Sequence, residues 1–372
     1  MPGNDASSYN ARQLFEHWLS HGLVKKDQRE PLERFTAGRA TGRELPLYVH
    51  ALVGVGAFIA GAFFVGFLAA ADLINFNSEA GLIAWGLVFI SFAILMLTAA
   101  SGGDDNAIMS SFLTQASFCL MATGKVLFAM GFALLFKPNE GWGATLALLM
   151  LTAATYHIFP MSMDRFLSSF AAFVSIFFNL VSEHSASGAL QIAINAFFVA
   201  QLGLAAFLMT SGRVRKEYLP IGYAAIGALC AVAVFFAMRS EVGRYGYRQD
   251  FSPAIINIAL TAALIALIGW AAGGMEKLKS EPLSVASVGA VCLGIISAPG
   301  ILLSAGLMLL GYAQHDRVLL ILGGLLLPAF LSLYYYNLDL TLMAKSGILV
   351  ASGAVLLAGS AYMRYRGFDR EG

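Results

Sequence analysis

Residues 189–210 read ALQIAINAFFVAQLGLAAFLMT, twenty-two positions without a charge. An α-helix rises about 1.5 Å per residue, so this stretch reaches about 33 Å, enough to cross a hydrocarbon core of about 30 Å. It lacks the period-two alternation of a membrane β-strand, and therefore reads as a transmembrane helix. The chain repeats the pattern on both sides. Toward the N-terminus lie Phe166–Val181, Trp142–Phe159, Ile108–Phe136, Gly81–Ala100 and Leu47–Ala70. Toward the C-terminus follow Leu219–Met238, Ile255–Ala272, Val285–Tyr312, Val318–Leu333 and Leu340–Tyr362.

Composition agrees. The 372 residues are 58% hydrophobic and 12% charged, whereas soluble domains average about 25% charged. The fold class that follows is an all-α integral membrane protein, a polytopic bundle of about 10–12 transmembrane helices. A net charge of +1 gives no electrostatic reason to bind nucleic acid; the lipid bilayer is the expected partner. Cys119, Cys230 and Cys292 all lie inside apolar runs, with the spacing of neither a zinc site nor a disulfide framework, and read as small buried hydrophobes. No cofactor motif stands out.

The chain divides into an amphipathic segment at residues 1–45, a transmembrane domain at 46–363 and a short basic tail at 364–372. In the first segment Leu14, Phe15, Trp18 and Leu19 recur at helical spacing, Gly22 is a stop, and Leu32 and Phe35 offer a second apolar face, so a helical pair is expected. Arg12, Lys25, Lys26, Arg29, Arg34, Arg39 and Arg43 make it the most basic region, which the positive-inside rule keeps in the cytoplasm. No apolar core precedes a small-residue cleavage site there, so a removable signal peptide is not expected.

That orientation also places Arg213, Arg215 and Lys216 inside, with Lys277 and Lys279, but leaves Arg239, Arg244 and Arg248 outside. If the eleven runs are eleven crossings, Arg364, Arg366 and Arg370 end outside as well. Splitting the run Val285–Tyr312 at Ala298-Pro299-Gly300 returns them to the inside and makes the helix count even. A break there reads either as a discontinuous helix with freed carbonyls or as a tight turn between two short helices.

From Ser297 onward the sequence becomes more specific. Ala298-Pro299-Gly300 is followed by apolar runs and then by YYYNLDLTLMAKSG at 334–347, with Gly353 beyond. The positions Tyr335, Tyr336, Leu338, Asp339, Lys345, Ser346 and Gly353 resemble the C-terminal pattern of a bacterial membrane family, domain of unknown function 4401. The N-terminus, with Trp18, Gly22, Leu23 and Val24, looks like the start of the related family 2157. Gln115 and Gly124 are similar to the family's third segment, although Lys125 replaces a neutral polar residue. The resemblance implies a multi-pass bacterial inner-membrane protein, often encoded beside a small membrane-anchored partner with a GDYxxLxY motif. It implies no reaction.

Ionisable groups inside a bilayer are costly, by about 3 kcal/mol on insertion scales, and are kept when paired, facing a cavity or near an interface. Asp339 and Lys345, beside Tyr335 and Tyr336, are the first candidates for an intramembrane polar site. They read as a substrate or ion path, or as an aromatic belt with a snorkelling lysine. Lys125, with Gln115 on the same run, is the second; it reads as a counter-ion in a pathway or as a lysine snorkelling along an overlong helix. Asp104, Asp105, His157 and Asp164 form a weaker carboxylate–histidine grouping without metal-ligand spacing. Glu183 and His184 form a similar pair on the opposite side. Glycines such as Gly54, Gly56, Gly61 and Gly66 read as helix-packing positions.

Three functions fit: a transporter- or permease-like protein, a membrane scaffold working with the small anchored neighbour, and a lipid-active intramembrane enzyme. The last has the fewest residues to support it, so the chain reads more readily as a non-enzyme.

Overall fold

The fold is a set of apolar helices, seen in a computed structural model. The structure describes residues 79–102, 107–137, 140–182, 188–212, 216–242 and 254–337, with isolated positions between 56 and 78 and at 343 and 350. Among the described residues there are ten α-helices and no strand. They are α1 (Glu79–Gly102), α2 (Ala107–Leu135), α3 (Glu140–Ile158), α4 (Ser162–Ser182) and α5 (Gly188–Thr210). Then come α6 (Leu219–Val242), α7 (Ala254–Ala271), α8 (Glu281–Ile296), α9 (Pro299–Gln314) and α10 (Arg317–Asn337). Short 3₁₀ turns at Lys216–Tyr218 and Met275–Lys279 precede α6 and α8.

Six of these helices, α1, α2, α4, α5, α6 and α7, are long and apolar enough to cross a membrane. The stretches Glu281–Ile295, Pro299–Gln314 and Arg317–Leu333 are shorter and apolar. Large hydrophobic side chains face outward: Phe207 is 61% exposed, Leu325 67% and Ile295 80%. A water-soluble protein does not spread so much exposed apolar surface, whereas a lipid-facing one does.

The chain falls into two units, with the boundary between Gly131 and Phe132. In the first, α1 and α2 run antiparallel with their backbones close together. A Cβ on Gly86 would lie 2.8 Å from the Gly124 carbonyl oxygen, and a Cβ on Gly124 2.8 Å from that of Gly86. Small residues at this crossing let van der Waals contact form between backbones, the usual glue of membrane helices.

In the second unit the described helices alternate in direction, so their described turns lie at one of two ends. The near end carries the turns between α3 and α4, α5 and α6, α7 and α8, and α9 and α10. The core of this unit joins Phe177, Phe198, Leu229, Ile256, Leu302 and Phe330. The run Val285–Tyr312, read from the sequence as one segment, is two helices. Ser297 and Ala298 are extended, and Pro299 opens α9, where a proline needs no N–H partner. Asn257 Nδ2 of α7 donates to the Ser297 carbonyl at 3.2 Å and holds the turn. Of the two sequence readings, the tight turn between two helices is the one observed.

The α9–α10 turn uses a single left-handed residue, His315 (φ 55). Its N–H returns to the carbonyls of Gly311 and Tyr312. Asp316 then caps α10, accepting the Val318 N–H at 2.8 Å. Close approach continues along this hairpin. A Cβ on Gly311 would lie 2.6 Å from Leu320 N, and one on Gly323 2.9 Å from the Ser304 carbonyl oxygen.

Candidate functional site

Helix α4 differs from its neighbours in which of its faces is buried. Asp164, Arg165, Ser168, Ser169, Ala172, Phe177 and Asn179 are buried, while Met163, Leu167 and Phe178 are exposed. The polar side of this helix faces protein and the apolar side faces out, which suits a helix surrounded by lipid. The α3–α4 turn fixes its register. Pro160 disfavours continuation of α3, Phe159 is fully buried, and the Arg165 N–H reaches back to the Met161 carbonyl at 3.0 Å.

At the near end the buried polar groups gather around Tyr156, in the last turn of α3. Arg165 is 8% exposed; its Nε donates to the Tyr156 carbonyl at 2.9 Å, and its guanidinium carbon lies 4.6 Å from the Tyr156 ring centroid. Hydrogen bond and cation–π contact thus hold one cation against one residue. The Tyr156 hydroxyl donates to the Glu217 carbonyl, and its ring stacks on Tyr218 with centroids 5.9 Å apart, tying α3 to the turn before α6. Asp164, 3% exposed, accepts from the Ser168 hydroxyl at 3.4 Å.

At the far end a second cluster joins the same two helices. Thr145 Oγ1 of α3 donates to the Gly141 carbonyl at 3.0 Å. It also receives Asn179 Nδ2 at 2.6 Å and lies 2.5 Å from Ser175 Oγ. A hydroxyl has one proton and two lone pairs, so with its proton on Gly141 it accepts from both α4 side chains. From Asp164 to Asn179 is about 22 Å along the helix, most of a bilayer core. Between the clusters the buried face of α4 passes Ala172, and that of α3 passes Ala147 and Leu151. The seam is therefore two polar halves with an apolar step between them.

The sequence candidates are distributed differently. Lys125 is 4% exposed in α2, packed within protein rather than extended toward an interface. Gln115, on the same helix, donates to Ser111 Oγ at 3.5 Å; ten residues separate it from Lys125, about 15 Å along the axis, so the helix does not bring the two together. The backbone of Tyr334, Tyr335 and Tyr336 belongs to the last turn of α10, and Tyr335 is half-buried. Asp339, Lys345 and the Tyr336 side chain lie outside the described residues. So do Asp104, Asp105, Glu183 and His184, the segment 1–45 and the tail 364–372. His157 is exposed while Asp164 is buried, and among the described residues no group of three or more His, Cys, Asp or Glu could hold a metal.

The model for domain of unknown function 4401 matches residues 46–366. The chain belongs to this family. That agrees with the C-terminal pattern around Tyr335 and Asp339, and it makes the chain a multi-pass membrane protein without assigning an activity. No curated protein and no solved structure matches it. Sequence reasoning missed the seam because the serines and Asn179 look like interruptions of an apolar run. The available signal was their spacing: Asp164, Ser168, Ser175 and Asn179 fall on one helical face.

Proposed function

We propose that this family member is a transporter- or permease-like protein of the bacterial inner membrane, with its N-terminus in the cytoplasm and the α3–α4 seam as its path for a polar solute or ion. The observation that carries the reading is the inverted polarity of α4, which brings Asp164, Arg165, Ser168, Ser175 and Asn179 to its protein-facing side. The apolar step at Ala172 makes the path gated rather than open, since a dry constriction between two wet halves blocks flow until it widens. Lys216, Lys277 and Lys279 at the near end favour that end as the cytoplasmic one.

The test is hydration. In a background lacking Cys119, Cys230 and Cys292, Ser168→Cys and Ser175→Cys are exposed to a membrane-impermeant thiol reagent in inside-out and right-side-out vesicles. The expected result is labelling of Ser168→Cys from one side and of Ser175→Cys from the other. A seam unreactive from both sides is helix glue, and the transport reading falls.

A second reading rests on a different observation, the backbone contacts at Gly86–Gly124 and along α9–α10. A tightly packed bundle of this kind suits a scaffold for the small membrane-anchored neighbour with the GDYxxLxY motif. Cross-linking in native membranes followed by purification of the full chain distinguishes it: recovery of that neighbour at about equal stoichiometry supports the scaffold, and recovery of the chain alone removes it.

A further inference from the structure

Away from the seam, α5, α6, α7 and α9 enclose a groove of about 80 Å³. Its walls include Ala206 and Thr210 of α5, Ala263 and Leu267 of α7, and Gly306 and Leu310 of α9; the remaining lining side chains are aliphatic. Ala206 is exposed, beside the 61%-exposed Phe207, so the groove joins the lipid-facing surface. A Cβ placed on Gly306 meets nothing within 4 Å. The lining runs from Leu202 to Thr210 on α5 and from Leu302 to Leu310 on α9, in each case about 12 Å, a little under half of a hydrocarbon core of about 30 Å.

These dimensions choose the occupant. A helix with its side chains is about 10–12 Å across, far too wide for this space, whereas a polymethylene chain is thin enough to lie in it. The end of the groove at Thr210, Leu267 and Leu310 is the near end, where Gln314 Nε2 donates to the Met209 carbonyl and joins α9 to α5. The 3₁₀ turns that follow α5 and α7 there carry exposed Lys216, Lys277 and Lys279 against Glu217 and Glu276. Lys277 Nζ lies 3.3 Å from where a Cβ on Gly273 would sit, just past the end of α7. Cations at the polar end of an aliphatic groove match a phosphate attached to a hydrocarbon tail.

We propose that this groove binds one acyl chain of an anionic phospholipid, with its phosphate against the near-end lysines. The site is separate from the α3–α4 seam and stands or falls independently of it. The full chain is purified in detergent, stripped of lipid, and incubated with phosphatidylglycerol or with phosphatidylcholine of the same acyl chains; retained lipid is read by native mass spectrometry. The expected result is preferential retention of phosphatidylglycerol, reduced about tenfold or more in Gly306→Leu, whose side chain fills the groove. Gly289→Leu on the exposed face of α8, where a Cβ also meets nothing within 4 Å, retains lipid as the unaltered chain does. Equal retention of the two lipids, or undiminished retention by Gly306→Leu, overturns the proposal. Phosphatidylglycerol carrying a photoreactive group in its tail tests the unaltered chain, whatever the folding of the variants. Cross-links within 202–210, 260–267 and 302–310 are expected, and labelling confined to other segments overturns the site.

Discussion

The α3–α4 and α9–α10 hairpins solve the same problem with opposite chemistry. Each pairs two antiparallel helices where there is no water to drive them together. The α9–α10 pair does so by shape: Gly300, Gly311 and Gly323 remove side chains so that Phe330, Leu320 and Met308 can close on the partner helix. The α3–α4 pair does so by hydrogen bonding, through Thr145, Ser175 and Asn179 at one end and Tyr156 with Arg165 at the other. The contrast teaches what each can tolerate. A backbone contact has no slack, whereas a side-chain hydrogen bond in a membrane can find a substitute.

The largest expected effect is therefore at a glycine. Gly311→Val drives a side chain into the Leu320 backbone and should cost about 3 kcal/mol, at the upper end of ordinary overpacking; a fall in melting temperature and in folded yield in detergent measures it. Arg165→Met comes next. It removes the charge-assisted bond to the Tyr156 carbonyl and the contact with its ring, and should cost about 2 kcal/mol by the same melting assay. Thr145→Val dissolves the far cluster while keeping the shape of the side chain. Its expected cost is about 1 kcal/mol, the scale of an interhelical hydrogen bond in a bilayer. Should Thr145→Val prove more damaging than Gly311→Val, the division of the two hairpins into rigid and adaptable is wrong. The smallest effect belongs to Tyr223→Phe, which loses the bond from the Tyr223 hydroxyl to Asp316 but leaves Asp316 capping α10. A loss of about 0.6 kcal/mol is expected, best resolved as a double-mutant cycle with Asp316→Asn.

The same comparison explains what could be read in advance. Apolar runs longer than the bilayer is thick announce helices, and no side-chain detail is needed to see them. The break at Ser297-Ala298 was legible because Pro299 and Gly300 mark it, although sequence left open whether the chain bent or reversed; Asn257, forty residues away, holds the reversal. The seam was harder. Serine, threonine and asparagine carry no cost large enough to stand out from a hydropathy profile, while Lys125 and Lys345 do. Only the observed burial of α4 separates a polar face turned inward from one scattered along a helix. The residues around Asp339 carry the family pattern, yet pattern alone names no contact.

The inverted face of α4 also bears on how the chain is made. Asp164 and Arg165 each cost about 3 kcal/mol when presented to lipid near the middle of a helix, less near its end, and Arg165 does not find its α3 partner, the Tyr156 carbonyl, until both helices are in place. Helix α4 should therefore be a poor insertion signal by itself and enter the bilayer as the second half of a hairpin led by α3. A glycosylation-mapping assay in microsomes reports this directly: residues 162–182 alone should insert inefficiently, and the 140–182 pair well. Efficient insertion of the single segment would show that the polar face is hidden by other means. On this view the hydrogen bonds of the seam govern the order of assembly before they govern anything that passes along it.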